Sequence, residues 1–145
     1  MSPGSGGWIV DASVALRWYL PVEREPDGEL ARAAIGSLAM RTTVLAEHEV
    51  GNILIRSSGW ARDRIVTALG LLLEICGEPI QLERADHPIA VELALVHRLA
   101  FYDASYVAIA RRTGRSLLSA DHDLIAAGLA VPLRTAVDEA GGSGP

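Results

Sequence analysis

The chain has 145 residues, half of them hydrophobic and only 5% aromatic, and a formal net charge of −5. That is enough for one domain with an aliphatic core, and the charge has the wrong sign for a generic nucleic-acid binder. All 13 basic residues are arginine, and the absence of lysine excludes P-loop NTPases, protein kinases and Schiff-base enzymes, each of which needs that amine.

Residues 1–7 read as a flexible polar start without a secretory signal. Trp8-Ile9-Val10 reads as a short buried strand, and residues 12–20 as a helix stopped by Pro21. Residues 22–27 form a charged loop, and 28–35 a short amphipathic helix ending near Gly36. A weak second strand is expected over 41–44, then helices over 46–58 and 62–76, with Gly59 stopping the first. Ile65, Leu69, Leu72 and Leu73 fall near one stripe, so these two helices read as a hairpin. The alternation Ile80-Gln81-Leu82 reads as a strand. Residues 88–99 are helical, with Asp86 as N-cap and Pro88 in the first turn. A helix over 102–112 closes at Gly114; a strand over 116–119, a short helix over 122–127 and a last strand over 132–135 follow. The expected organisation is a flexible stretch over 1–7, one domain over 8–137 and a flexible tail over 138–145. Strands alternating with helices imply a mainly parallel sheet covered on both faces. Cys76 is the single cysteine, so there is no internal disulfide or thiolate zinc cluster, which fits a cytoplasmic location. The longest apolar stretch, 65–76, contains Glu74 and is too short to span a bilayer, so no membrane partner is expected.

Four acids stand at or near junctions of strand and helix. Asp11 follows Trp8-Ile9-Val10, Glu49 lies in the helix after Thr43-Val44, Asp103 opens the helix at Tyr102, and Asp121 follows Leu117-Leu118-Ser119-Ala120. Ligands of open parallel sheets bind outside the carboxyl ends of the strands. Any one of these acids is more simply a helix cap or a first-turn acid. Four in so short a chain repel one another unless a hard cation neutralises them, which points to Mg²⁺, with Mn²⁺ able to substitute. Asp103 is the most informative, because Tyr102, Ala104, Tyr106, Val107 and Ile109 leave it little polar cover. Asp123 is a candidate auxiliary acid, and Ser13, Ser119 and Asn52 are candidate supporting groups; for the two serines ordinary capping is an equal reading. Glu47 rivals Glu49, but residues two apart on a helix are about 200° apart, so only one faces the site. His48-Glu49-Val50-Gly51-Asn52 lacks the second histidine of a zinc-protease helix, and Ser13 lacks a nucleophile elbow. His97 reads as a surface residue. Arg17 and Arg56 are candidate phosphate contacts, with a solvated helix face as the equal alternative.

These strings together resemble a known family. Ile9-Val10-Asp11-Ala12-Ser13-Val14-Ala15-Leu16 is similar to the opening motif of PIN-domain ribonucleases, and Glu49-Val50-Gly51-Asn52-Ile53-Leu54 to their second. Tyr102-Asp103-Ala104-Ser105-Tyr106-Val107-Ala108-Ile109-Ala110 resembles the third, and Leu117-Leu118-Ser119-Ala120-Asp121 the fourth. The length and motif order look most like VapC-type toxins of toxin–antitoxin pairs. Thr43 and Ser119 depart from the proline and threonine that the family often carries there. The resemblance implies a three-layer α/β/α sandwich around a mainly parallel sheet of four to five strands. It implies that Asp11, Glu49, Asp103 and Asp121 are the catalytic acids, with Asp11, Asp103 and Asp121 foremost as metal ligands, and the Glu-Val-Gly-Asn string favours Glu49 over Glu47. It also implies an RNA substrate, a cognate antitoxin and a homodimer. The expected activity is endoribonuclease cleavage by metal-activated water. An RNA-processing nuclease that is not a toxin, and a catalytically silent PIN-like interaction module, are the alternatives.

Overall fold

Three consecutive apolar residues make the central strand. β1 (Trp8–Val10) lies between β2 (Met40–Arg41) and β3 (Ser116–Leu118), both parallel to it. This computed structural model describes residues 6–20 and 27–142. A strand buried on both faces has no reason to alternate, hence the unbroken apolar run. Its pleat sends Trp8 and Val10 to one face and Ile9 to the other. The first pair joins a core with Val14, Trp18, Val50 and Leu72; Ile9 joins a second core with Leu93, Tyr106, Ile109 and Leu124.

Helices cover both faces. One core collects α1 (Ala12–Leu16), α2 (Gly28–Ser37), α4 (Arg62–Cys76) and α8 (Leu133–Gly142). The other collects α5 (His87–His97), α6 (Phe101–Arg112) and α7 (His122–Ala126). α3 (Val44–Ile53) contributes Val50 to the first core and Ala46 to the second. The result is the expected α/β/α sandwich, with three strands where four or five were expected.

The missing strands are reduced to single bridges, Thr43 to Ile80 on one side and Leu118 to Val131 on the other. Each has a local cause. The Thr43 hydroxyl accepts the Ala46 amide at 3.0 Å, so the chain turns into α3 at Val44 and the expected strand over 41–44 stops at Arg41. Ile80 therefore has one partner residue to bridge, and Gln81 and Leu82 run on outside the sheet. Pro132 has no amide to donate, and buried Leu133 and Ala136 with half-buried Val137 follow a helical period, so 132–135 begins α8. The helix continues through Gly142 across most of the expected tail; residues 143–145 lie outside the described part.

α1 ends at Leu16, short of the expected 12–20, and tighter turns follow with Trp18 anchored by its indole N–H to the Ala31 carbonyl at 3.0 Å. The expected stop at Pro21 and residues 22–26 of the charged loop fall outside the described residues. The helix expected over 46–58 is α3 followed by a π turn, Leu54–Ser58, ended by Gly59 at φ 73°. Asp86 precedes α5 without capping it by its side chain; its carboxylate instead accepts the Glu83 amide and the Arg112 Nε–H, each at 2.8 Å.

Candidate active site

The parallel strands end side by side, and the residues just beyond them build the site. Asp11 follows β1, Thr42 and Thr43 follow β2, and Ser119 to Asp121 follow β3. Thr42, Thr43 and Ser119 are fully buried, and Asp11 is 5% exposed. Buried polar groups need partners. The Thr42 hydroxyl donates to the Val10 carbonyl at 3.0 Å, locking β2 to β1 at their ends.

Asp11 is held on both oxygens. Ser13 Oγ donates to Oδ1 and Ser119 Oγ to Oδ2, each at 2.5 Å. Oδ1 also accepts the Val14 amide at 3.2 Å, which makes Asp11 the N-cap of α1. Each serine accepts in turn, Ser13 from the Ala120 amide and Ser119 from the Asp121 amide, both at 3.0 Å. The loop after β3 is thus tied to Asp11 through the two hydroxyls. Asp121 caps α7 through Oδ1, which accepts from the Asp123 and Leu124 amides at 2.9 and 3.1 Å. Capping and site-building are the same arrangement here.

The other wall comes from α3 and α6. Glu49 Oε1 accepts the phenol of buried Tyr106 at 3.0 Å. Asp103 lies in the first turn of α6, where the helix N-terminus favours negative charge. Glu49, Asn52 and Asp103 line one open cavity of about 560 Å³, and Glu47 does not. Asp123 is exposed, yet its charge reaches Asp103.

The acids disturb one another. Burial pushes the Asp11 carboxyl up; the two serines and the Val14 amide work against that, and the Asp121 charge adds to it. Burial also raises Glu49, opposed by the Tyr106 bond and reinforced by Asp11 and Asp103. Asp103 is raised by burial, then by Asp121, Asp11 and Asp123. Among the described residues, no arginine forms an ion pair with any of the four. An all-oxygen cluster of mutually repelling carboxylates, with no arginine paired to it among the described residues, has the donor chemistry of a hard divalent ion. Among the described residues, no three His, Cys, Asp or Glu side chains stand close enough to grip one ion together. An ion here would be held by one or two carboxylates, with water completing its shell, as Mg²⁺ prefers.

Arg17 lines a smaller cavity of about 170 Å³ beside Ser119 and Ala120, with Arg134 from α8 alongside it. Arg56 is exposed on the π turn and His97 is exposed on α5. Cys76 is buried, and burial pushes its thiol up to about 12, so it is an inert core residue. Sequence reasoning did not single out Tyr106 or Arg134. Tyr106 had a signal: it stands three residues after Asp103, on the same helix face. Arg134 had none, because the strand expected there hid its helix.

A PIN-domain family model matches residues 8–129. Ribonuclease VapC3 of Pyrobaculum aerophilum is 32% identical over 120 residues, covering 80% of this chain and 90% of that protein. Among solved structures, PAE2754 from Pyrobaculum aerophilum superposes with a TM-score of 0.69 at 21% identity, over 94% of this chain and 90% of the other. The Mycobacterium tuberculosis VapC20, a sarcin-ricin loop cleaving toxin, gives a TM-score of 0.69 at 21% identity, over 84% and 95% of the two chains.

Proposed function

The chain belongs to the PIN-domain family, among its VapC-type ribonucleases, and from that premise we propose a metal-dependent endoribonuclease that acts as the toxin of a toxin–antitoxin pair. One observation carries the metal dependence: Asp11, Glu49 and Asp103 are all held above their ordinary ionisation range by burial and by neighbouring acids, with no arginine among the described residues to compensate. Mg²⁺, with Mn²⁺ as substitute, is the ion that this oxygen donor set suits, held by pairs from Asp11, Asp103 and Asp121 with Glu49 beside them. When bound, such an ion acidifies water and neutralises charge on a phosphodiester.

The chain's own residues do the rest. Ser13 and Ser119 fix the Asp11 carboxylate against rotation, and Tyr106 fixes Glu49. Asn52 offers an amide on the crevice wall, and Asp123 extends the acidic rim. Arg17, with Arg134 beside it, and Arg56 further out supply the cations for RNA phosphates. A small antitoxin is the proposed regulator and a homodimer the proposed assembly, acting in the cytoplasm.

The test is cleavage of RNA by the purified chain with Mg²⁺, with Mn²⁺, with Ca²⁺ and with chelator. Mg²⁺ and Mn²⁺ should support cleavage, while Ca²⁺, with its larger and looser shell, should support it poorly. Asp103→Asn should cut at least about 100-fold more slowly, the scale expected when a group acting on the reacting phosphate is lost. Cleavage that survives complete chelation, or an Asp103→Asn variant as fast as wild type, would overturn the reading. A small antitoxin encoded beside this gene would separate the toxin from an RNA-processing nuclease of the same fold.

A further inference from the structure

We propose that an apolar recess adjoining the acidic crevice seats an unpaired nucleobase of the RNA, with the Tyr102 ring as the surface on which it stacks. The proposal rests on the ribonuclease reading and names a specificity-determining residue for it. Tyr102 is the second residue of α6, directly before Asp103, and is 64% exposed. Its phenol forms no hydrogen bond among the described residues. A single exposed apolar side chain is ordinary; the position of this one is not. It lines two cavities at once.

One of these is the crevice that holds Glu49 and Asp103. The other, of about 290 Å³, is walled by Ile80, Leu82, Phe101 and Ile109, and shares Leu45, His48 and Tyr102 with the crevice. A strand whose phosphodiester lies at the acids therefore has an apolar recess one side chain away. Phe101 is itself braced, with its ring edge-on to His87 at 6.4 Å between centroids. His48 and Gln81 stand in the wall of the same recess and offer polar groups to the edge of a base.

The chemistry selects the occupant. A phosphate or a sugar gains little in such a recess, whereas unpaired bases stack on exposed aromatic rings in sequence-specific RNA recognition. The charge balance argues the same way. A net charge of −5 works against a purely electrostatic grip on the phosphate backbone beyond the few arginines near the site, so a contact to a base adds affinity where it is needed.

The experiment compares wild type, Tyr102→Ala and Tyr102→Phe on an RNA that the wild type cuts, with cut positions mapped by sequencing. Loss of one stacked base should lower kcat/KM of Tyr102→Ala by about 5- to 150-fold, mainly through KM, and weaken the base preference beside the cut. Tyr102→Phe keeps the ring and should match wild type. An abasic nucleotide at the flanking position should cost the wild type a similar factor and the alanine variant little more. The recess proposal is overturned if Tyr102→Ala cuts the same positions with kcat/KM within about twofold of wild type. It is also overturned if phenylalanine fails to rescue, or if Tyr102→Ala loses only binding of a protein partner while cutting normally. A wild type that cuts no RNA, or a fully active Asp103→Asn, defeats the ribonuclease reading instead, so the two failures are distinct.

Discussion

Asp11 is a carboxylate whose burial works against its charge even though both of its oxygens are hydrogen-bonded. It is 5% exposed, and its two oxygens accept three hydrogen bonds, yet burial still holds its proton above the ordinary value. Glu49 and Asp103 are raised in the same direction. A carboxyl raised on folding keeps its proton in the folded state over a range where the unfolded chain has lost it. Its contribution is therefore fully present below the unfolded value and is lost as pH rises through the folded one. The metal-free protein should accordingly lose stability as pH rises above the ordinary carboxylate range and these raised groups give up their protons, which thermal melts in chelator would follow. Asp11→Asn removes the most buried of the three and should flatten that slope; a variant whose melting temperature tracks the wild type across the range would contradict the assignment. Saturating Mg²⁺ should act most at the alkaline end, adding roughly 2.7 kcal/mol at a hundred times its Kd. Much of this site was legible in the sequence as acids following apolar strings. The serines were candidates but their role was only half legible, because a hydroxyl two residues from an aspartate looks the same whether it caps a helix or clamps a carboxylate. Here Ser119 reaches Asp11 across the sheet, a contact that only the strand order β2-β1-β3 creates.

At the scale of elements, the helices could be read from the sequence far better than the outer strands. α4 begins and ends where its apolar period does, and α6 differs by one residue. Periodicity needs length, and 12 or 15 residues supply it. The strands of two and three residues do not, and whether Ile80 or Val131 extends beyond a bridge depends on what its neighbour leaves to pair with. Asp86 stands at the N-cap position of α5 as its place in the sequence suggested, but its carboxylate serves elsewhere, with a partner 26 residues away. Arg112 at the end of α6 donates to Asp86 at 2.8 Å and to the Gln81 carbonyl at 2.9 Å, pinning the turn before α5 to the helix that carries Asp103. Asp86 is 1% exposed and the Arg112 side chain 25%, so the pair falls between a buried and a surface ion pair. Asp86→Ala should cost about 2–3 kcal/mol, below the full penalty for breaking a buried pair because water reaches the arginine. Urea denaturation measures it; a loss below about 0.5 kcal/mol would place the pair with ordinary surface bridges.

For the whole molecule, charge and exposed apolar surface meet at the α3–α4 side. Ile53, Ile55, Val66, Leu71 and Leu73 are all more than a third exposed, on α3, the π turn and α4. Glu49, from the same α3, opens onto the acidic crevice. A partner helix laid along the apolar side chains would use the helix-in-groove mode and bring a following segment towards the acids. The cation best suited to end there is arginine, whose fork meets two carboxylate oxygens at once. Such a group would compete with a divalent ion for the same charge. Co-expression with the product of the adjacent gene should therefore yield a complex that cleaves RNA more slowly than the free chain. Raising Mg²⁺ should restore part of the rate, because ion and arginine exclude one another. A complex as active as the free chain would show that a bound partner leaves the acids open. Inhibition that Mg²⁺ leaves untouched would mean that the partner blocks the RNA path instead of the carboxylates, and the Tyr102 side of the crevice would then be the place to look for it.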